Sequence, residues 1–289
     1  MANVGFIGTG VMGTGMIKQL LAKGTAVKVY TRTAERAQKV LDAGATYCET
    51  AKELAQQSDI VFTMVGYPKD VETLYLGTDG ILGAASTGTI FIDMTTSSPT
   101  LARELSAKAS VLGKHVLDAP VSGGDIGAQN GTLSIMVGGE RAAFEQVLPL
   151  FEKMGKTIVY QGDAGNGQNA KMVNQIAVAG TMLGVVESLV YAKKMGLDEK
   201  TVLESIETGA AGSWTLSNLG PRIIADDFEP GFFIKHFVKD MTIASNEAAQ
   251  NGFELPGLQT AKRLYEVLEN SGLSEKGTQA LYHYYFMNK

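Results

Sequence analysis

The chain of 289 residues carries 25 Lys and Arg against 30 Asp and Glu, a net charge of -5, and 45% of its residues are hydrophobic. Such a composition excludes a disordered chain, and the acidic balance argues against a protein that grips nucleic-acid phosphates or an anionic membrane surface. A single cysteine, Cys48, leaves no intrachain disulfide and no thiolate metal cluster.

At roughly 100–200 residues per domain the length fits two domains, and the pattern predicts a boundary between 1–163 and 164–289. The first part alternates β-rich runs at 3–7, 26–31, 60–64, 89–93, 115–118, 133–137 and 157–160 with amphipathic stretches at 12–23, 34–43, 100–112 and 140–154. Strands separated by helices imply βαβ units and a mostly parallel, doubly wound sheet of Rossmann type. Beyond Gly167 the text turns all-helical, with predicted helices at 168–195, 199–208, 215–225, 237–251 and 256–271. The first of these is long and apolar nearly all round, which predicts a buried interdomain spine. It is also too apolar for a small domain to cover alone, so a homodimer or homotetramer is expected. The start MANVGFIGTG lacks the marks of a signal peptide, and no uncharged apolar run reaches the roughly 18 residues of a membrane span. No membrane partner and a cytoplasmic location are therefore expected.

The run Gly8-Thr9-Gly10-Val11-Met12-Gly13 follows an apolar strand and opens a helix, the setting in which GxGxxG denotes a dinucleotide site. Gly8 allows a tight turn, Gly10 close approach of a pyrophosphate, and Gly13 close packing of helix on strand. An NAD site places an acid at the end of the second strand, whereas this chain has Thr31-Arg32-Thr33. A guanidinium there can pair with a 2′-phosphate, so NADP is favoured over NAD. Thr33 can equally be a helix cap and Arg32 a solvated charge.

Three further segments complete the pattern: Asp118-Ala-Pro-Val-Ser-Gly-Gly124, GNGQNAKMVNQ over 165–175, and Lys239-Asp240. With the fingerprint, and in this order along essentially the whole chain, they closely resemble the β-hydroxyacid dehydrogenase family, which includes 3-hydroxyisobutyrate dehydrogenases and tartronate semialdehyde reductases. The resemblance implies hydride transfer between NADP, or NAD, and a small hydroxyacid or semialdehyde. It implies Ser122, Gly123 and Gly124 as the receptor of the substrate carboxylate, and Lys171 as the catalytic acid/base. A lysine desolvated by its apolar neighbours can serve both directions if its pKa falls toward ~7–8. Asn174 is expected to orient the substrate; the following Gln175, where some relatives carry asparagine, is the alternative. Met64, Val65, Thr96 and Lys239 are expected at the cofactor, Lys239 with Asp240 or as an ordinary exposed pair. Trp214 either walls the pocket or packs in the interior. His115, His236 and His283 share no metal-ligand spacing, so no metal is expected. A 6-phosphogluconate dehydrogenase would need a much longer helical domain, and a non-catalytic sensor would have no use for Lys171, Ser122 and Asn174 together.

Overall fold

Short runs of Val, Ile and Phe become parallel strands when helices cover both faces, because such strands must bury every side chain. In the computed structural model, which describes residues 2–287, β1 (Val4–Ile7), β4 (Ile60–Thr63) and β5 (Ile90–Asp93) are buried along their whole length. The other elements of the first part are, in order, α1 (Val11–Ala22), β2 (Val27–Tyr30), a 3-10 turn leading into α2 (Gln38–Leu41), β3 (Thr46–Tyr47) and α3 (Ala51–Gln56). After β4 come α4 (Pro68–Leu76) and α5 (Ile81–Ala84), and after β5 come α6 (Pro99–Val111), β6 (His115–Asp118) and β7 (Val121–Ser122). The part closes with α7 (Gly124–Asn130), β8 (Leu133–Gly138), α8 (Arg141–Met154) and β9 (Gly155–Gly162). The second part holds α9 (Asn166–Lys194), α10 (Glu199–Ile206), α11 (Trp214–Ile224), α12 (Ile234–Gln250) and α13 (Pro256–Leu268), then a 3-10 segment at Thr278–Tyr285. The chain divides into two compact units after Lys171, inside α9 and a few residues beyond the expected boundary.

The sheet runs β3-β2-β1-β4-β5-β6 in parallel, the order of a dinucleotide-binding fold with its switch point between β1 and β4. Only its far end is not parallel. β8 pairs antiparallel with β6 and β7, and β9 then pairs parallel with β8. The reason is local: only Ala119 and Pro120 separate β6 from β7, so these two form one bent edge that a returning strand must meet head-on. Short elements such as β3, α3 and α5 lie below the length at which periodicity shows in sequence.

In the helical unit, α9 turns Met172, Ala179, Met182, Val186 and Leu189 into the core, where Phe237 of α12 meets Tyr265 of α13 with ring centres 5.1 Å apart. The helix is about 43 Å long and apolar enough over 18 residues to cross a membrane by length and composition alone. As its composition implied, the helical unit does not cover it all round. Val173, Ala177, Gly180, Gly184, Glu187 and Tyr191 form an exposed stripe, with Val173 69% and Tyr191 65% accessible. A rod of that length presents more surface than four shorter helices cover.

What anchors α9 is a buried carboxylate. Asp118, at the end of β6, accepts the backbone N–H of Gly165 through Oδ1 and that of Gln168 through Oδ2, both at 2.8 Å. These serve N–H groups around the start of the helix, where no preceding turn supplies a carbonyl. The Gln168 side chain, fully buried, donates from Nε2 to Thr95 O at 2.7 Å and accepts Ser97 N–H through Oε1 at 2.9 Å. Backbones also interlock here: a Cβ on Gly138 would stand 2.6 Å from Gly167 N, and one on Gly167 would stand 2.8 Å from Gly138 N. The two glycines let β8 and the helix start touch without side chains between them.

Burial pushes the Asp118 carboxyl up to about 6, although backbone N–H groups, those of Gly165 and Gln168 foremost, hold it down. A native value above the unfolded one stabilises most below about pH 4, and that contribution fades as pH rises through about 6. Asp118→Ala strands two N–H groups, at about 1–3 kcal/mol each. Urea unfolding should therefore show the variant less stable at neutral pH, with its deficit larger at about pH 4.5 than at pH 7. A deficit that grows with pH would contradict this account.

Candidate active site

The residues singled out by sequence in the first unit follow the carboxyl ends of successive parallel strands. Gly8 follows β1, Arg32 follows β2, Met64 and Val65 follow β4, and Thr96 follows β5. That edge is where open α/β sheets bind ligands.

The glycine loop shows a different requirement at each position. Gly8 has φ +105°, and a Cβ there would strike the Met64 carbonyl. Gly13 is equally barred, by the Gly8 carbonyl, which lets α1 lie directly on β1. Gly10 differs: no atom of the protein lies within 4 Å of where its Cβ would stand, and its extended backbone suits any residue. The fold does not demand glycine at that position. Gly10 also caps α1, whose first turn carries no acidic residue, and Val11 and Met12 offer the first helical N–H groups. A dinucleotide pyrophosphate fits this cradle.

At the end of β2, Thr31 is buried while Arg32 and Thr33 are exposed. Thr33 occupies the N-cap position of the following 3-10 turn, but its hydroxyl makes no capping bond. Arg32 is not a free charge: its Nη1 lies 3.1 Å from Asp70 Oδ1 on α4. After β4, Val65 N–H donates to Thr95 Oγ1 at 3.0 Å, and Thr95 N–H donates to Asp93 Oδ1 at 3.1 Å. Thr63 Oγ1 donates to the same Asp93 oxygen at 2.9 Å. The loop bearing Thr96 is thus tied to β4, to β5 and, through Gln168, to α9. Thr96 itself is half-buried.

In the DAPVSGG segment, Gly123 (φ +124°) and Gly124 (φ +62°) both take positive φ, which glycine adopts at no steric cost. Ser122 is half-buried beside this turn, paired across the strands with Ser134. Lys171 is 7% exposed, one turn of α9 beyond the clamped Gln168.

In the helical unit Gln175 and Asp240 are buried, and Gln175 Nε2 donates to Asp240 Oδ2 at 2.6 Å. Lys239 Nζ stands 3.1 Å from Asp240 Oδ1. That oxygen has no directed hydrogen bond, so the attraction there is Coulombic. The Lys239–Asp240 pair is largely buried rather than an ordinary exposed one, at 11% and 2% side-chain exposure. Asn174 is half-buried, and its Nδ2 reaches Gln175 Oε1 at 3.5 Å. His236 is partly buried; desolvation and the neighbouring Lys239 and Lys235 lower its pKa. Trp214 opens α11 and is 69% exposed, which removes the interior packing role considered for it.

Three contributors escape sequence reasoning. Asp118 lay inside a quoted motif without a role. Gln168 carries no local signal, since its partners at 95 and 97 are distant in sequence. Asp70 is 38 residues from Arg32, although Pro68 at the first helical position marks α4. Among the described residues no cluster of three or more His, Cys, Asp or Glu is placed to hold a metal ion. A surface cavity of about 510 Å³, lined by Lys52, Tyr75, Leu82 and Lys108 among others, contains none of the motif residues.

A Rossmann-type sheet with a dinucleotide cradle, followed by a helical unit on a long helix, defines a nicotinamide-dependent oxidoreductase. Residues 3–162 match the family described as the NAD binding domain of 6-phosphogluconate dehydrogenase, and 165–285 that described as NAD-binding of NADP-dependent 3-hydroxyisobutyrate dehydrogenase. The chain is 54% identical to the oxidoreductase YkwC of Bacillus subtilis, over 96% of this chain and 97% of the relative. It is 40% identical to the 2-hydroxy-3-oxopropionate reductase of Escherichia coli, over 96% and 95%. The structure of Mycobacterium tuberculosis 3-hydroxyisobutyrate dehydrogenase with L-serine superposes with a TM-score of 0.89 at 31% identity, covering 98% of each chain. The chain belongs to the β-hydroxyacid dehydrogenase family. It is accordingly an NAD(P)-dependent enzyme of hydroxyacids.

The contrast between two glycines gives a test. Gly10→Ala should fold as the wild type, within about 1 kcal/mol, yet bind dinucleotide at least about tenfold more weakly in a fluorescence titration. Gly8→Ala should lose at least about 2 kcal/mol of stability, through its strained φ and the clash with Met64. Equal effects of both on unfolding would refute the assignment.

Proposed function

We propose that this chain interconverts a small β-hydroxyacid and its semialdehyde with NADP(H), using Lys171 as the proton-transfer group. The observation that carries the reading is Lys171 itself: a lysine of low exposure, seated one turn past a helix start that Asp118 and Gln168 hold from both ends. A lysine held out of water and in a fixed place suits acid/base work, whereas a solvated lysine is a mobile surface charge.

The nicotinamide ring, when bound, supplies or accepts the hydride. In oxidation Lys171 Nζ takes the alcohol proton; in reduction it returns a proton to the oxygen, on which negative charge develops. Ser122 Oγ and the N–H groups of the Gly123–Gly124 turn receive the carboxylate, which does not react. Asn174 orients the substrate: Gln175 has its Nε2 committed to Asp240, leaving its neighbour as the freer amide. On the cofactor side Gly8, Gly10, Val11, Met12 and Gly13 take the pyrophosphate, Met64, Val65 and Thr96 the face of the dinucleotide, and Lys239 closes on it. Arg32, with Thr31 and Thr33 beside it, recognises the 2′-phosphate. An NAD-linked 3-hydroxyisobutyrate dehydrogenase is the second reading, favoured by the carboxylate of Asp70 beside Arg32. In this proposal the exposed stripe of α9 joins copies of the chain into a homodimer or homotetramer, since Ala177, Gly180 and Gly184 let helices approach closely.

Lys171→Ala and Lys171→Arg should each lose about 10²–10⁴-fold in kcat, because a guanidinium neither gives nor takes a proton near neutrality. Ser122→Ala should chiefly raise KM. Steady-state kinetics with a panel of semialdehydes and both cofactors decides the matter; an arginine variant keeping more than about a tenth of kcat would make Lys171 an anchor rather than the acid. Light scattering tests the assembly: the wild type should exceed the 30.7 kDa of one chain, and Gly180→Leu with Gly184→Leu should return it to monomer.

A further inference from the structure

The Arg32 guanidinium, offered above as the receptor of a 2′-phosphate, already has an anionic partner. Asp70 Oδ1 lies 3.1 Å from Arg32 Nη1, while Asp70 Oδ2 accepts Tyr67 N–H at 3.1 Å in the first turn of α4. Both carboxylate oxygens are therefore engaged, one by the helix start and one by the arginine. The two partners are unequal. Asp70 is 25% exposed and fixed by its helix, whereas the Arg32 side chain is 79% exposed. The rigid group holds the mobile one, and Asp70 sets where the guanidinium rests. The carboxylate also abuts the turn after β4, where a Cβ on Gly66 would stand 3.2 Å from Asp70 Oδ2. A negative charge is thus built into the corner formed by the ends of β2 and β4.

We propose that Asp70 is a specificity-determining residue, which tempers the preference for NADP by competing with the 2′-phosphate for Arg32. A phosphate entering here must draw the guanidinium from a carboxylate that already holds it. A ribose 2′-hydroxyl meets no such cost, and can donate to Asp70 as it would to the acid that ordinary NAD sites carry at the end of β2. The chain supplies that acid from α4 instead. The arrangement gives an enzyme that distinguishes the two cofactors less sharply than its arginine alone would. This inference rests on the assignment of Arg32 to the 2′-phosphate.

The test is binding of NADPH and NADH without substrate, followed by cofactor fluorescence, in the wild type, Asp70→Asn, Arg32→Ala and the double variant. Asparagine keeps an oxygen for Tyr67 N–H, so the fold should be retained; Asp70→Ser is the substitute if it is not. Asp70→Asn should tighten NADPH by about three- to tenfold and NADH by less than about twofold. The gain should vanish once Arg32 is alanine, and should shrink with added salt because the pair is exposed. An unchanged or lowered preference in Asp70→Asn overturns the proposal. So does a gain that persists in the Arg32→Ala background, which would be plain repulsion between carboxylate and phosphate. Arg32→Ala alone separates the two levels: if it weakens NADPH selectively, the NADP reading stands whatever Asp70 does, and if it does not, that reading fails first.

Discussion

A carboxylate removed from water at the end of β6 is the interaction on which the rest of the site depends. Asp118 gives its two oxygens to the backbone at the start of α9, and Gln168 then reaches back to the loop after β5. A helix as long as α9 could fray or slide at its first turn. Here that turn is pinned by a charge, by an amide with both ends in use, and by backbone packed against backbone at Gly138 and Gly167. Lys171 inherits its position from this clamp. The charge has a cost, visible in the carboxyl's displacement upward, and Asp93, aligned with it on the neighbouring strand, adds to that displacement. Protein interiors tolerate such a group only where it is fully hydrogen-bonded.

The parallel part of the sheet turns a one-dimensional sequence into a common edge. Each strand ends at the same side, so loops dozens of residues apart become neighbours. Gly8 N–H donates to Tyr30 O at 2.9 Å, and Met64 N–H to Ile7 O at the same distance, which continues the ladders past the strand ends and fixes where each loop departs. Along this edge stand the glycine loop, the Arg32–Asp70 pair, and the loop after β5, whose backbone at 95 and 97 is tied to the helix that bears Lys171. The helical unit keeps its own polar chain of Lys239, Asp240, Gln175 and Asn174 in an apolar surround.

Much of this was legible in the residues. Long periodic helices and apolar strands announced themselves, and the glycine fingerprint marked the turn between β1 and α1. What escaped was short or distant. The two-residue strands β3 and β7 have no period to detect, and the antiparallel return of β8 follows from a two-residue joint at 119–120. Hydropathy showed that α9 is more apolar than a small domain can cover, but not which of its faces is left bare. The Arg32 charge looked free because its partner lies on a helix beyond the next two strands. Pairings of this kind are set by the fold, and no local window contains both members.

The interlocked glycines also decide how this chain can vary. Any single-base missense change in a glycine codon installs a residue with a Cβ. At Gly8, Gly13, Gly138 and Gly167 that carbon meets backbone atoms, which have no alternative rotamer to retreat into. Such positions offer drift no mild first step: even alanine requires strands or helices to part. Gly10, Gly180 and Gly184 meet no protein atom of their own chain within 4 Å. A change there spares the fold. Inherited damage at the first set would appear as lack of protein, whereas a change at the second would leave the amount of protein as it was.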